Sequence, residues 1–69
     1  MDTLKTLGER LKKERKNKEM TQEEIANKIN ISRASYAYYE AGKKQPNLDT
    51  LKKLADLYKV SVDYLIGRY

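Results

Sequence analysis

Residues 22–41 read QEEIANKINISRASYAYYEA, and the spacing of apolar and small side chains in this stretch decides the fold. Two helices that cross at about 90–120° through a short turn approach each other closely, so one contact position must be small, and Ala26 occupies it. Asn30 tolerates the positive φ that such a turn needs. The positions that fill the angle between the helices are apolar: Ile25, Ile29, Ile31, Tyr36 and Tyr39. The stretch therefore predicts a helix-turn-helix.

A further helix is predicted before this motif. Thr6 and Glu9 have the spacing of a capping box, and a start one turn earlier, at Asp2 or Thr3, is the alternative. Lysines and arginines continue on the outer faces as far as about residue 18. The inner face carries leucines at helical spacing: Leu4, Leu7 and Leu11.

Short polar residues mark the starts of the other helices, and no stretch alternates as a β-strand does. Helix 2 is predicted to begin at a capping box formed by Thr21 and Glu24. The predicted starts and ends of the others are Ser32 and Ala41, followed by Gly42, for helix 3, Asn47 and Tyr58 for helix 4, and Ser61 and Gly67 for helix 5. The predicted inner stripe of helix 4 is Leu48, Leu51, Leu54, Ala55 and Tyr58. We expect an all-α, compact five-helix fold forming one domain over residues 1–69, with its core in 7–67.

Composition excludes several classes of function. The chain has 15 Lys and Arg against 10 Asp and Glu, and its net charge of +5 indicates an anionic partner. It contains no cysteine and no histidine, which removes disulfides, the commonest metal ligands and the usual general base. No apolar run approaches the ~20 residues of a membrane span, and no signal peptide is visible. We expect a cytoplasmic binding module without enzymatic activity, cofactor, metal or small-molecule site.

The wider chain resembles the Xre/Cro/C1-type helix-turn-helix family, which includes the lambdoid phage repressors and their bacterial relatives. The resemblance runs from Leu7 to Gly67 and rests on LGERLKKERKNKEMTQEEIA, SRASYAYYEAGKKQP and LDTLKKLADLYKVSVDYLIG. It implies a lambda-repressor-like fold, double-stranded operator DNA as the ligand, frequent homodimers and regulation of transcription.

Two features depart from that family's pattern. Glu19 stands where glycine is usual, so we expect either left-handed strain of about 1 kcal/mol or a turn built differently. Tyr36 and Tyr39 stand where Ile or Leu is usual, and their hydroxyls must reach water, phosphate or a polar partner.

Helix 3 is predicted to read DNA bases with the side opposite its core-facing tyrosines. Three of the five residues on that side are alanines, which allow close approach to a major groove. Arg33 has the planar donor fork that matches guanine O6 and N7. Ala34 suits a thymine methyl, and Tyr38 suits a base edge or a phosphate.

Phosphate contacts are expected from the ends of elements, namely Gln22, which the resemblance implicates directly, Ser35, Lys43 and Lys44. Most cations of helix 1 are interpreted as solvated, with Arg10 as a further phosphate candidate. For Arg15 and Glu40 the resemblance implies a structural ion pair that joins helix 1 to the end of helix 3.

A single recognition helix reads only about 4–6 base pairs, so we expect a homodimer on a near-palindromic operator, with the protein associated with the nucleoid. The predicted interface is the C-terminal helix, through Tyr64, Leu65, Ile66 and Tyr69; the alternative is that these residues complete the monomer core. The alternative function is a protein-interaction module of the same fold, antitoxin- or coactivator-like. The chain suits either a complete regulator or the trimmed N-terminal domain of a longer repressor.

Overall fold

A computed structural model describes residues 2–68 of the chain. Within them the backbone forms five helices and no strand, which confirms the predicted all-α, five-helix fold. The helices are α1 (Thr3–Asn17), α2 (Gln22–Lys28), α3 (Arg33–Glu40), α4 (Leu48–Tyr58) and α5 (Val62–Ile66). Across that same range, each helix is too short or too polar to cross a membrane.

Each of these helices begins after a polar side chain that accepts a hydrogen bond from the backbone N–H of the third helical residue, as in N-capping. These residues are Asp2, Thr21, Ser32, Asn47 and Ser61. At α2 the capping box is complete, because Glu24 also accepts a bond from the Thr21 N–H at 2.8 Å. The start of α1 at Thr6 is wrong, and the earlier alternative is right, since Asp2 caps α1.

Left-handed residues end the helices or reverse the chain between them. Glu19 has φ 56° in the connection between α1 and α2, so the first of the two expected outcomes holds and an ordinary side chain carries the strain there. Asn30 has φ 61° in the turn of the helix-turn-helix. Gly42 and Gly67, the predicted ends of helices 3 and 5, also adopt positive φ. Lys59 at the end of α4 is left-handed as well, which the sequence does not predict.

The buried apolar side chains of all five helices form one cluster. Its members are Leu7, Leu11, Ile25, Ala26, Ile29, Tyr36, Tyr39, Leu51, Leu54, Ala55, Tyr58 and Leu65. Leu48 was expected in the α4 stripe, but its side chain is 77% exposed. Leu48 is the first residue of α4, and there it lines an open groove at the surface instead of joining the buried cluster.

Candidate nucleic-acid interface

The α3 helix turns two chemically different sides to the protein and to solvent. Tyr36 and Tyr39 are buried in the core. Arg33 and Ala34 are exposed on the other side, and Tyr38 there is 52% exposed. The accessible side of α3 is therefore the one that carries small residues together with the long side chains of Arg33 and Tyr38.

The hydroxyl of Tyr36 has a partner inside the protein. It lies 2.6 Å from the hydroxyl of Tyr58 on α4, and the two phenols hydrogen-bond to each other. Burial raises the pKa of both groups, that of Tyr58 to about 12, so both stay neutral at physiological pH. Tyr36 is thus fully buried although it is larger than the Ile or Leu usual at its position, and α3 packs closely against the core.

Arg15 and Glu40 form an ion pair between α1 and the last residue of α3. Arg15 Nε donates to Glu40 Oε2 at 2.7 Å, and Arg15 Nη2 donates to Oε1 at 3.2 Å, which makes a two-point contact. Only 4% of the Glu40 side chain is exposed. Arg15 Nη1 also donates to the Met20 carbonyl at 3.0 Å. One guanidinium therefore connects α1 both to α3 and to the loop between α1 and α2.

Gln22, the first residue of α2, joins this pair. Its Nε2 donates to Glu40 Oε1 at 3.1 Å. Burial raises the pKa of Glu40. Hydrogen bonds from Arg15, Tyr36 and Gln22, together with the Arg15 charge, outweigh burial and hold that pKa below its usual value. The hydrogen bond to Glu40, the last residue of α3, therefore orients the side chain of Gln22, which is one of the predicted phosphate contacts.

The other predicted phosphate residues lie at the two ends of α3. The Ser35 hydroxyl accepts a 2.9 Å bond from Ser32, which leaves its own hydrogen available to an external acceptor. Lys43 and Lys44 are exposed in the loop that follows α3. The Lys43 N–H donates to the Tyr38 carbonyl at 3.0 Å, which fixes the start of that loop against the helix.

Of the predicted dimer residues in the C-terminal helix, the three that the structure describes do not form one surface. Leu65 is fully buried, so its assignment to an interface is wrong; a five-residue helix needs such an anchor to stay docked on α1 and α4. The Tyr64 hydroxyl donates to Glu14 at 2.9 Å, and the Arg10 guanidinium lies 4.7 Å from the centre of the Tyr64 ring. Tyr69 lies outside the described residues.

Arg10 also donates a hydrogen bond to the Tyr64 carbonyl, so it connects α1 to α5. This engagement does not favour the phosphate role considered for it. Ile66 is the one described member of the predicted interface that lines an open apolar groove, together with Leu4, Pro46 and Leu48. The sequence does not reveal Leu48 as a groove residue, because its spacing from Leu51 is that of a core stripe.

No group of acidic residues within residues 2–68 is arranged to hold a metal ion. The arrangement around α3 is an accessible helix face flanked by lysines and by the amide of Gln22, which suits binding.

Comparison with known proteins identifies the relatives of this chain. A helix-turn-helix family model matches residues 11–65. The HTH-type transcriptional regulator ImmR of Bacillus subtilis is 46% identical over 63 residues, which cover 91% of this chain and 50% of ImmR. The uncharacterized HTH-type transcriptional regulator YobD of the same species is 51% identical over 59 residues, 86% of this chain and 53% of YobD.

The cryptic phage CTXphi transcriptional repressor RstR of Vibrio cholerae is 43% identical over 63 residues, 91% of this chain and 56% of RstR. The chain thus spans about half the length of these relatives. The match covers all of α2, α3 and α4, the elements that carry the motif and the accessible face. The chain belongs to the helix-turn-helix family of the Xre/Cro/C1 type.

Proposed function

We propose that this chain is the sequence-specific double-stranded DNA-binding module of a transcriptional repressor, and that it inserts α3 into the major groove. The observation that carries the proposal is the accessible side of α3, where exposed alanines permit close approach and Arg33 and Tyr38 project outward. The names of its relatives, two transcriptional regulators and a phage repressor, support the same function.

Base recognition is assigned to the first turn and middle of α3. Arg33 supplies two parallel donors for guanine O6 and N7. Ala34, also exposed, contacts a thymine methyl, and Tyr38 contacts a base edge or the adjacent phosphate. The buried Tyr36–Tyr58 pair supports this role, because it fixes the rotation of α3 about its axis and hence which side meets the bases.

Phosphate contacts are assigned to residues that surround this face. Gln22 donates its second amide hydrogen, Ser35 donates its hydroxyl hydrogen, and Lys43 and Lys44 contribute charge after α3. Such contacts fix the protein's position on the duplex without reading its sequence. The net charge of +5 supports the assignment.

We propose that a second copy of the chain covers the apolar groove of Leu4, Leu48 and Ile66. Leu48, whose side chain is 77% exposed, adjoins Leu4 and Ile66 in this groove, and contiguous apolar surface of this kind favours burial in an assembly. The groove is also lined by Gln45, Pro46 and Asn47. These residues directly follow Lys43 and Lys44 in the loop after α3. A two-fold contact there sets two α3 helices side by side along one face of the DNA, as a near-palindromic operator requires.

A regulator of this kind acts in the cytoplasm, on the nucleoid. By occupying an operator that overlaps a promoter, the dimer blocks RNA polymerase. The test is the salt dependence of binding to genomic duplex fragments. With about 4–8 phosphate contacts per dimer, log K falls with log[salt] at a slope of roughly −4 to −7. A slope near zero contradicts DNA binding and leaves a protein-interaction module of the same fold.

A further inference from the structure

A polar cleft opens beside the accessible face of α3. Its lining consists of Lys12, Arg15, Gln22, Ala37, Glu40 and Ala41. Ala37 and Ala41 lie on the same side of α3 as Arg33 and Tyr38, so the cleft adjoins the surface assigned to DNA. Lys12 lies on α1, outside the helix-turn-helix, and the sequence assigned it to the solvated surface.

The charges in this cleft do not cancel. Both oxygens of Glu40 are engaged by Arg15, and one of them also accepts from Gln22. Arg15 with Glu40 is the ion pair found in residues 2–68, and together they are neutral. Lys12 is exposed and adds one uncompensated positive charge.

Two donors in the cleft are free to act on one external anion. The Lys12 ammonium carries up to three N–H groups, and the Gln22 amide keeps one hydrogen beyond the one given to Glu40. Ala37 and Ala41 also line the cleft, and their small side chains leave room for an anion to approach. The anion that arrives with duplex DNA is a backbone phosphate.

We propose that this cleft seats one phosphate of the DNA backbone in each subunit, with Lys12 supplying the charge and Gln22 a neutral donor. The inference rests on the proposed function and extends the interface from the motif to α1. Because a phosphate contact carries no sequence information, Lys12 strengthens binding to all duplexes alike.

The experiment compares Lys12→Gln with Lys13→Gln in the full chain, using the preferred genomic duplex and an unrelated duplex. Both lysines are exposed on α1, and both changes remove one positive charge, but only Lys12 lines the cleft. Thermal melting of each variant checks that stability is unchanged. Affinity is measured by fluorescence anisotropy across a salt series.

Lys12→Gln is expected to make the salt slope shallower by about 0.9 per lost contact, hence about 1.8 per dimer, and to weaken affinity roughly fivefold per contact at 0.15 M salt. Its effect is the same on both duplexes. Lys13→Gln changes the slope much less, and Lys12→Arg restores it. Equal small effects of Lys12→Gln and Lys13→Gln, with a steep wild-type slope, overturn this inference while leaving DNA binding intact. A flat wild-type slope overturns both.

Discussion

Gly8 on α1 lies directly against the backbone of Glu40 at the end of α3. A Cβ at Gly8 would lie 2.9 Å from the Tyr39 carbonyl oxygen and 3.0 Å from the Glu40 carbonyl carbon, and the Glu40 oxygen would be closer still. Because these are backbone atoms, the contact cannot be relieved by rotating a side chain. The close approach also brings α1 within reach of the ion pair to Glu40.

Gly8→Ala should therefore destabilise the domain by about 1–3 kcal/mol, the cost of overpacking a tight contact. Chemical denaturation measures the loss. The matched control is Lys13→Ala on the exposed side of the same helix, which is expected to stay within about 0.5 kcal/mol of the wild type. Equal stability of Gly8→Ala and the control would contradict the close approach of α1 to α3.

Arg15→Ala should destabilise the domain by about 3–5 kcal/mol, because Glu40 would stay buried without its charged partner. The variant unfolds before any specific DNA defect is measurable, and its melting temperature reports this. Replacing both partners by leucine should cost less than Arg15→Ala alone, since no unpaired charge is left. An Arg15→Ala variant that keeps its melting temperature but loses DNA would make Arg15 a DNA contact instead.

The ion pair also predicts how stability depends on pH. The folded-state pKa of Glu40 lies below its unfolded value of about 4.3, so its contribution is fully present above that value. The contribution is lost as pH falls from about 4.3 through the folded pKa. Thermal melts between pH 6 and pH 2.5 should show a decline that is smaller in Glu40→Gln. An identical decline in both proteins would mean that other carboxylates account for it.

Leu48→Gln should abolish self-association without unfolding the monomer, because the side chain is 77% exposed. Analytical ultracentrifugation and the cooperativity of binding to paired half-sites measure this. Lys52→Gln, also exposed and one turn along α4, is the control and should retain wild-type assembly. Wild-type assembly in Leu48→Gln would exclude the groove as the dimer contact.

Much of this architecture follows from local sequence signals. Ser32, Asn47 and Ser61 cap helices because a short polar side chain satisfies backbone N–H groups that no helix can satisfy itself. The two sides of α3 follow from helical periodicity alone. The left-handed Asn30 was likewise predictable, since its side chain tolerates that conformation.

Other features depend on how the helices are arranged in space. Leu48 and Leu65 both suit an apolar stripe, but only the packed structure separates the exposed residue from the buried one. Lys59 is left-handed although lysine has no local preference for that conformation. Lys12 and Ala37 line the same cleft although they are 25 residues apart in sequence. Periodicity within one helix carries no information about contacts between two helices.

Selection from random duplex DNA tests most directly whether the accessible side of α3 reads bases. Wild-type protein should enrich a near-palindromic consensus, and Arg33→Ala should lose about 1–3 kcal/mol of discrimination at one base pair of each half-site while keeping the others. Enrichment of the same consensus with undiminished preference at every position, or no enrichment by the wild type, would contradict the account.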